Sequence, residues 1–402
     1  MNILFITDNF PPEVNAPATR TYEHAKIWVD EGHEVTVITC APNFPKGEVF
    51  KGYKNKFYRK EEVDDIKVIR VWSYITVNEG FIKRTLDYLS FAFTSFWAGL
   101  FQKADVIVAT SPQFFTTWTG LALSKFKRKP WVFELRDLWP ESIRSVGAID
   151  EGITYRILEK IELFLYKHAD LVIPVTEAFK ERLVKRGIPS GKQVVIENGA
   201  NLNLFQNKNN GELLRKQLKL PDKFLVGYIG THGMAHNLGF ILDCIREIKD
   251  PEYHFLFIGD GAEKEKLMGY AKKRNMQNVT FIDSIPKEDV PNYLSSIDVS
   301  LVPLKKANTF KTVIPSKIFE AAAMETPILL GVEGQAQQII EAFDAGICFE
   351  PENKVDFIQK LKMLKENKGM YNQKSENGLG LAMAYDREKL ARKMLLALER
   401  LH

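Results

Sequence analysis

Lys317 and Glu320 lie three residues apart within Pro315-Ser316-Lys317-Ile318-Phe319-Glu320-Ala321-Ala322-Ala323-Met324-Glu325-Thr326-Pro327. That spacing puts both side chains on one face of a helix. A cation and a carboxylate so arranged can hold a diphosphate and a neighbouring sugar hydroxyl; the alternative is a solvated ion pair on a surface helix. Ser316, following a proline, reads as the N-cap, so Lys317 falls in the first turn beside free N–H groups that attract anions. Apolar runs before and after the stretch read as strands, and the helix then opens at the carboxyl end of one of them. Open α/β sheets hold their ligands at such ends.

Other reactive types collect in similar positions. Phe133-Glu134-Leu135-Arg136-Asp137-Leu138-Trp139-Pro140 ends an apolar run with an arginine, a carboxylate and an indole. Arg136 suits a phosphate and Asp137 suits an attacking hydroxyl, or Asp137 caps the next helix. The loop Asp8–Arg20 follows the first strand, stiffened by prolines, and Asn15-Ala16 can bring backbone amides to a ligand, or it is an ordinary βα loop. Gly227-Tyr228-Ile229-Gly230-Thr231-His232-Gly233 runs a strand into a glycine-rich turn that a phosphate can approach. Gly259-Asp260-Gly261 is a lone G-x-G and a weak signal. His232 and His236 are four apart but lack a third ligand, and no D-x-D is present to hold a divalent ion against a diphosphate. The reading is therefore of no metal and no cofactor.

The elements that must position these residues alternate. In the first half, 3–7, 35–39, 67–72, 106–109, 131–135 and 171–175 read as strands, with a helix over 19–31 ending at Gly32. In the second half the strands are 224–229, 254–258, 279–282, 299–302, 328–330 and 346–349. A last helix over 387–401 has no strand after it. Two runs of β/α alternation in 402 residues predict an α/β protein of two Rossmann-like, doubly wound domains facing a cleft. The first domain is 1–195, with 385–402 packed back on it, and the second is 196–384. A dinucleotide-binding dehydrogenase is excluded because no G-x-G-x-x-G follows the first strand.

A net charge of +4 gives no footprint for nucleic acid. Three dispersed cysteines read as buried thiols in a reducing compartment, and Met1 leads directly into an apolar strand with no leader peptide. Residues 80–101 are crowded with aromatics. Lys46 to Lys60 carries six Lys/Arg against Glu48 alone, and Lys125-Phe126-Lys127-Arg128-Lys129 forms a second basic cluster. Basic residues beside aromatics suit an anionic bilayer surface; the alternative is a buried helix with solvated loops.

Taken together, these residues resemble a retaining glycosyltransferase of family 4, with the GT-B fold. The likeness runs from Pro11-Pro12 and Gly32-His33-Glu34-Val35-Thr36-Val37 through Asn198-Gly199 to Lys317, Glu320 and Pro327. Arg136-Asp137-Leu138-Trp139-Pro140 and Pro315-Ser316-Lys317-Ile318-Phe319-Glu320 are most similar to the bacterial O-antigen and capsule branch that transfers N-acetylfucosamine or N-acetylquinovosamine. The resemblance implies that Glu320 holds the ribose as the second glutamate of E-x7-E. Three departures stand out: Thr312 replaces the first glutamate, Thr231 and the stretch near Asn237 replace the usual Arg and Lys, and Arg136-Asp137 replaces His-Asp. Asn15-Ala16 likewise stands for Gly-Gly.

Asp137, Lys317 and Glu320 are thus the expected catalytic residues. Asn15, Ala16, Arg20, Arg136, Trp139, Asn198, Gly230, Thr231, Gly259, Ile285 and Ser316 are the expected substrate contacts. The implied activity is metal-independent transfer of a deoxy, N-acetylated sugar from a UDP-sugar to an undecaprenyl-diphosphate-linked acceptor. The implied place is cytoplasmic and peripheral, on the inner face of a bacterial plasma membrane. A UDP-sugar 2-epimerase of the same fold, or a non-catalytic nucleotide-sugar binder, are the alternatives.

Overall fold

Continuous apolar runs become parallel strands buried on both faces, because helices cover each side of the sheet. The computed structural model describes residues 1–76, 81–111, 114–141, 144, 152–206 and 211–402. They divide into two units, Met1–Glu197 with Glu388–His402, and Asn198–Arg387.

The first unit carries β1 (Asn2–Ile6), β2 (Glu34–Cys40), β3 (Tyr58–Val63), β4 (Ile66–Val71), β5 (Val106–Thr110), β6 (Trp131–Leu135) and β7 (Leu171–Pro174). Their order is β3-β4-β2-β1-β5-β6-β7, parallel throughout except for β3, which runs antiparallel to β4. Successive side chains divide the core by sheet face. Leu4, Ile6, Ile38 and Ile107 pack on one side, while Ile3, Phe5, Val35 and Val106 pack on the other. The helix Arg387–Glu399 completes the second side. Leu390, Met394 and Leu398 are buried there, and the indole N–H of Trp28 donates to Ala391 O at 2.9 Å.

The second unit carries β8 (Phe224–Ile229), β9 (Tyr253–Ile258), β10 (Val279–Ile282), β11 (Val299–Pro303), β12 (Ile328–Gly331) and β13 (Gly346–Cys348). All pair in parallel, in the order β10-β9-β8-β11-β12-β13. The strand order reverses between β1 and β5 in the first sheet and between β8 and β11 in the second. These are the switch points at which loops leave to opposite faces and a crevice opens.

Two expectations need correction. The strand β3 was read only as part of a basic cluster; its charged sequence Tyr-Arg-Lys-Glu-Glu-Val forms an edge paired on one side alone. The first helix begins at Ala16 rather than Thr19, because the Asn15 side chain accepts from Ala18 N at 3.0 Å and Pro17 tolerates the first turn.

Candidate functional site

In the second unit the site grows from the ends of β8 and β11. Gly230 follows β8 with φ +143, and a Cβ there would lie 2.6 Å from Lys317 Nζ. Gly259 follows β9, and a Cβ there would strike Gly230 O at 2.0 Å. The weak G-x-G thus has a structural cause: two loops lie directly on each other, joined by His232 N to Asp260 O at 2.9 Å and Glu263 N to His232 O at 2.9 Å. The Tyr228 hydroxyl donates to Thr231 O at 2.6 Å and fixes the turn.

Lys317 points into this turn. Its Nζ is buried, makes no hydrogen bond among the described residues, and lies 3.9 Å from the centre of the Tyr228 ring. Burial pushes its pKa down to about 7, against a smaller opposing pull from Glu320. His232 and His236 flank the same ring at 5.7 Å each. Burial, helped by nearby lysine charge, lowers them to about 4 and about 3, so both are neutral near pH 7.

The expected helix cap is absent. Ser316 has helical backbone angles and makes no side-chain cap bond. Ile318 N bonds to Pro315 O at 3.2 Å and Phe319 N to Ser316 O at 3.1 Å, so two amides expected to greet an anion are already used. The helix is only Lys317–Ala323, and the anion-attracting role falls on the Lys317 amine itself. Glu320 projects one turn on, where Lys287 binds its Oε1. Lys287 also lies 4.9 Å over the Phe205 ring. Ile285, two residues before Lys287, packs against the same core as Phe205 and Ile318. Asn198 opens the second unit, and Arg387 donates to its neighbour Gly199 O at 2.5 Å, anchoring that segment.

In the first unit Ser111, just after β5, organises the end of β6. Its Oγ accepts from Arg136 N at 2.9 Å and Asp137 N at 3.3 Å. The Arg136 guanidinium donates to Pro17 O at 3.2 Å, and Trp139 stacks on Phe114 at 4.4 Å. Asp137 is partly exposed beyond this frame. Arg20 is turned inward. Its Nε donates to Glu134 at 2.8 Å and its terminal nitrogens donate to Ile196 O and Glu197 O, so it braces the fold. Burial alone would raise the Glu134 pKa, but Arg20 and Arg136 overcome it and hold the carboxyl below its ordinary value.

Glu13, within the first loop, ties that loop together. Its Oε1 accepts from Asn43 N and Phe44 N at 2.8 Å each, and its Oε2 from Phe10 N at 3.2 Å. Asn15 Nδ2 donates to Asn9 Oδ1 at 2.5 Å, leaving Asn15 as cap and loop brace and Ala16 as the first helical residue. The sequence offered no signal for Ser111 or Lys287, whose roles depend on neighbours distant along the chain.

The aromatic segment is the helix Phe81–Leu100; Gly80 lies outside the described residues. It is both core and surface. Phe91, Ser95 and Ala98 are buried, while Phe93 (65%), Trp97 (51%) and the adjoining Phe101 (81%) are exposed. Phe126 is 71% exposed and meets Phe96 at 5.4 Å, extending the patch. Within the second basic cluster, Lys127 donates to Leu100 O and Gln102 O, and Lys129 pairs with Asp105 at 3.4 Å. Lys125 and Arg128 remain exposed. No described helix is long and apolar enough to cross a membrane, and among the described residues no three His, Cys, Asp or Glu group as a metal site.

Residues 15–199 match the family model described as Glycosyl transferase 4-like domain, and residues 210–380 match Glycosyl transferases group 1. WcaI of Escherichia coli strain K12, named as a colanic acid biosynthesis glycosyl transferase, is 26% identical over 365 residues, covering 88% of this chain and 89% of its own. Sucrose-phosphate synthase from Thermosynechococcus elongatus matches with a TM-score of 0.82 at 19% identity, over 100% of this chain and 98% of that one. Anabaena HepE, solved in complex with UDP and glucose, matches with a TM-score of 0.77 at 18% identity over 100% of both chains. At these identities the structural likeness speaks for the fold alone.

Proposed function

The chain is a glycosyltransferase with the GT-B fold, a 4-like domain preceding a group 1 domain, and from that premise we propose its reaction. It transfers a sugar, of the deoxy N-acetylated kind, from a UDP-sugar to a lipid-linked saccharide in bacterial surface polysaccharide synthesis, with retention and without a metal. The observation that carries the donor half is the Lys317 amine, buried and without a partner beside the Gly230 turn. A buried polar group without a partner is costly, and a diphosphate seated on that turn would supply one. Glu320, with Oε1 on Lys287, keeps Oε2 for ribose hydroxyls.

In the reaction, the bond from the sugar C1 to the β-phosphate breaks, and the acceptor oxygen bonds C1 on the same face. The acceptor proton passes to the leaving phosphate. Lys317 offsets the charge gathering on that phosphate, an interaction stronger in the transition state than before it. Asp137, whose backbone N–H donates to Ser111 Oγ, is the carboxylate we assign to the acceptor hydroxyl.

The acceptor half has support in the patch of Phe93, Trp97, Phe101 and Phe126 beside Lys125 and Arg128. Aromatics flanked by cations suit an anionic bilayer face, where an undecaprenyl-diphosphate sugar presents its reactive end. The WcaI name supports the polysaccharide setting. The test is transfer from a panel of labelled UDP-sugars to extracted lipid-linked acceptors, with and without EDTA. Transfer abolished by EDTA would remove metal independence, and turnover of a UDP-sugar to its epimer with no acceptor present would replace the transferase reading.

A further inference from the structure

Lys317 has an unusual set of neighbours for a cation. From β8 it meets the face of the Tyr228 ring, and from the following loop the Gly230 backbone, His232 and His236. On its own helix the one facing charge is Glu320, and Lys287 already holds that carboxylate. The tyrosine is pushed well above its ordinary value and both imidazoles are neutral near pH 7, so among the described residues Lys317 has no anion beside it except the Glu320 carboxylate that Lys287 holds. His232 adds to the pattern, for its two ring nitrogens are also buried and without hydrogen-bond partners. An ammonium without a counter-charge is the form that burial disfavours most.

We propose that this site binds the diphosphate of a nucleotide sugar together with a proton. Lys317 stands as a neutral amine in the ligand-free protein and becomes an ammonium as phosphate oxygens arrive. One H+ from solvent joins the amine on binding, and the same H+ leaves when UDP departs; no covalent bond changes in the linkage. The inference rests on the donor reading above. The depressed value of about 7 for Lys317 is consistent with it, since a dianionic neighbour moves that value back up.

The consequence for binding has a definite sign. Below about pH 7 the amine is already charged and binding exchanges little; above it, each UDP takes up nearly one proton. UDP affinity therefore falls about tenfold per pH unit above pH 7, until the value of the occupied site is reached.

The experiment is titration calorimetry of UDP into the full chain at about pH 8, in Tris and in a sulfonic-acid amine buffer of lower ionisation enthalpy. The buffer dependence of the heat counts protons. The wild type is expected to take up close to one proton per UDP and none with uridine. Lys317→Arg, whose guanidinium stays charged, should bind UDP without uptake. Binding of UDP to the wild type with no proton exchanged overturns the linkage and leaves the donor reading standing. Uptake that persists in Lys317→Met assigns the proton elsewhere and also overturns it. Failure of the folded wild type to bind UDP at all would instead remove the donor reading underneath.

Discussion

Lys287 reaches Glu320 across 33 positions of sequence and bonds its Oε1. The two side chains are 18% and 16% exposed, so the pair sits at the rim of the solvent, with neither partner sealed in. A carboxylate fixed on one oxygen presents the other in a set direction, which turns a flexible glutamate into an oriented acceptor. The pair binds, and the lysine aims.

Glu320→Ala is expected to reduce kcat/KM with a UDP-sugar by roughly 10- to 150-fold, the equivalent of a charged hydrogen bond of about 1.5–3 kcal/mol. Lys287→Met should raise KM with a smaller change in kcat, because the carboxylate remains but loses its orientation. Steady-state kinetics of both variants separate the roles. Near-normal activity in Glu320→Ala would remove the ribose assignment.

Lys317→Met should melt higher than the wild type while losing activity. The substitution keeps the volume and removes a buried amine that has no partner, a gain of about 1–3 kcal/mol. Its turnover should fall by more than its affinity for the UDP-sugar. The pH dependence follows from the lowered value. Between about 7 and 10.5 the unfolded chain holds a proton on Lys317 that the folded chain does not, so wild-type stability rises with pH across that window. The advantage of Lys317→Met in thermal melts is therefore largest at or below pH 7 and narrows above it. A lower melting point across the whole range would show that the amine has a structural partner.

Glu13 has the opposite sign. Burial raises its carboxyl to about 7 despite three backbone amides, so between 4.5 and 7 the folded chain holds a proton that the unfolded chain lacks. Wild-type stability should fall as pH rises through that window. Glu162, also raised to about 7, and Asp87, raised to about 6, act in the same direction. Denaturant midpoints at the two ends of the window should therefore diverge less for Glu13→Gln than for the wild type. Equal divergence would mean that Glu13 is ionised in the folded loop.

Flotation with vesicles tests the surface of the first unit. Wild type should rise with anionic vesicles and less with neutral ones, each exposed Lys or Arg adding about 1 kcal/mol near the surface. Lys125→Ser with Arg128→Ser should weaken flotation, and Phe93→Ser with Trp97→Ser should weaken it on anionic lipid as well. Lys127 and Lys129, which already have partners, are poor targets, since their loss would disturb Leu100, Gln102 and Asp105. Wild type that stays at the bottom with anionic vesicles would remove the bilayer reading.

Much of the fold was legible because buried parallel strands leave continuous apolar runs. Trp131–Leu135, Phe224–Ile229 and Val279–Ile282 have the limits their residues imply. The strand Tyr58–Val63 was not legible, since an edge paired on one side can carry charge at successive positions and so loses the apolar run that marks a buried strand. At the site, local spacing brought Lys317 and Glu320 into view but misjudged their setting. Ser316 looked like a cap, yet capping needs an extended backbone that this turn does not adopt. Arg20 looked available to a ligand; its partner Glu134 lies 114 residues away and no pattern links them. Side chains that owe their role to a distant partner leave no period in the sequence.

The helix Arg387–Glu399 has a consequence for the order of events at the ribosome. Trp28, Ile3, Phe5 and Val35 lean on Leu390, Met394 and Leu398, residues made only after the whole of Asn198–Arg387. Asn198–Arg387 holds its own core and can close as soon as it has emerged. The earlier-made half cannot. At usual synthesis rates it waits on the order of ten seconds or more with one apolar wall bare. Such a nascent chain is a natural client for a holding chaperone, and a chain cut short before this helix would strand the half synthesised first.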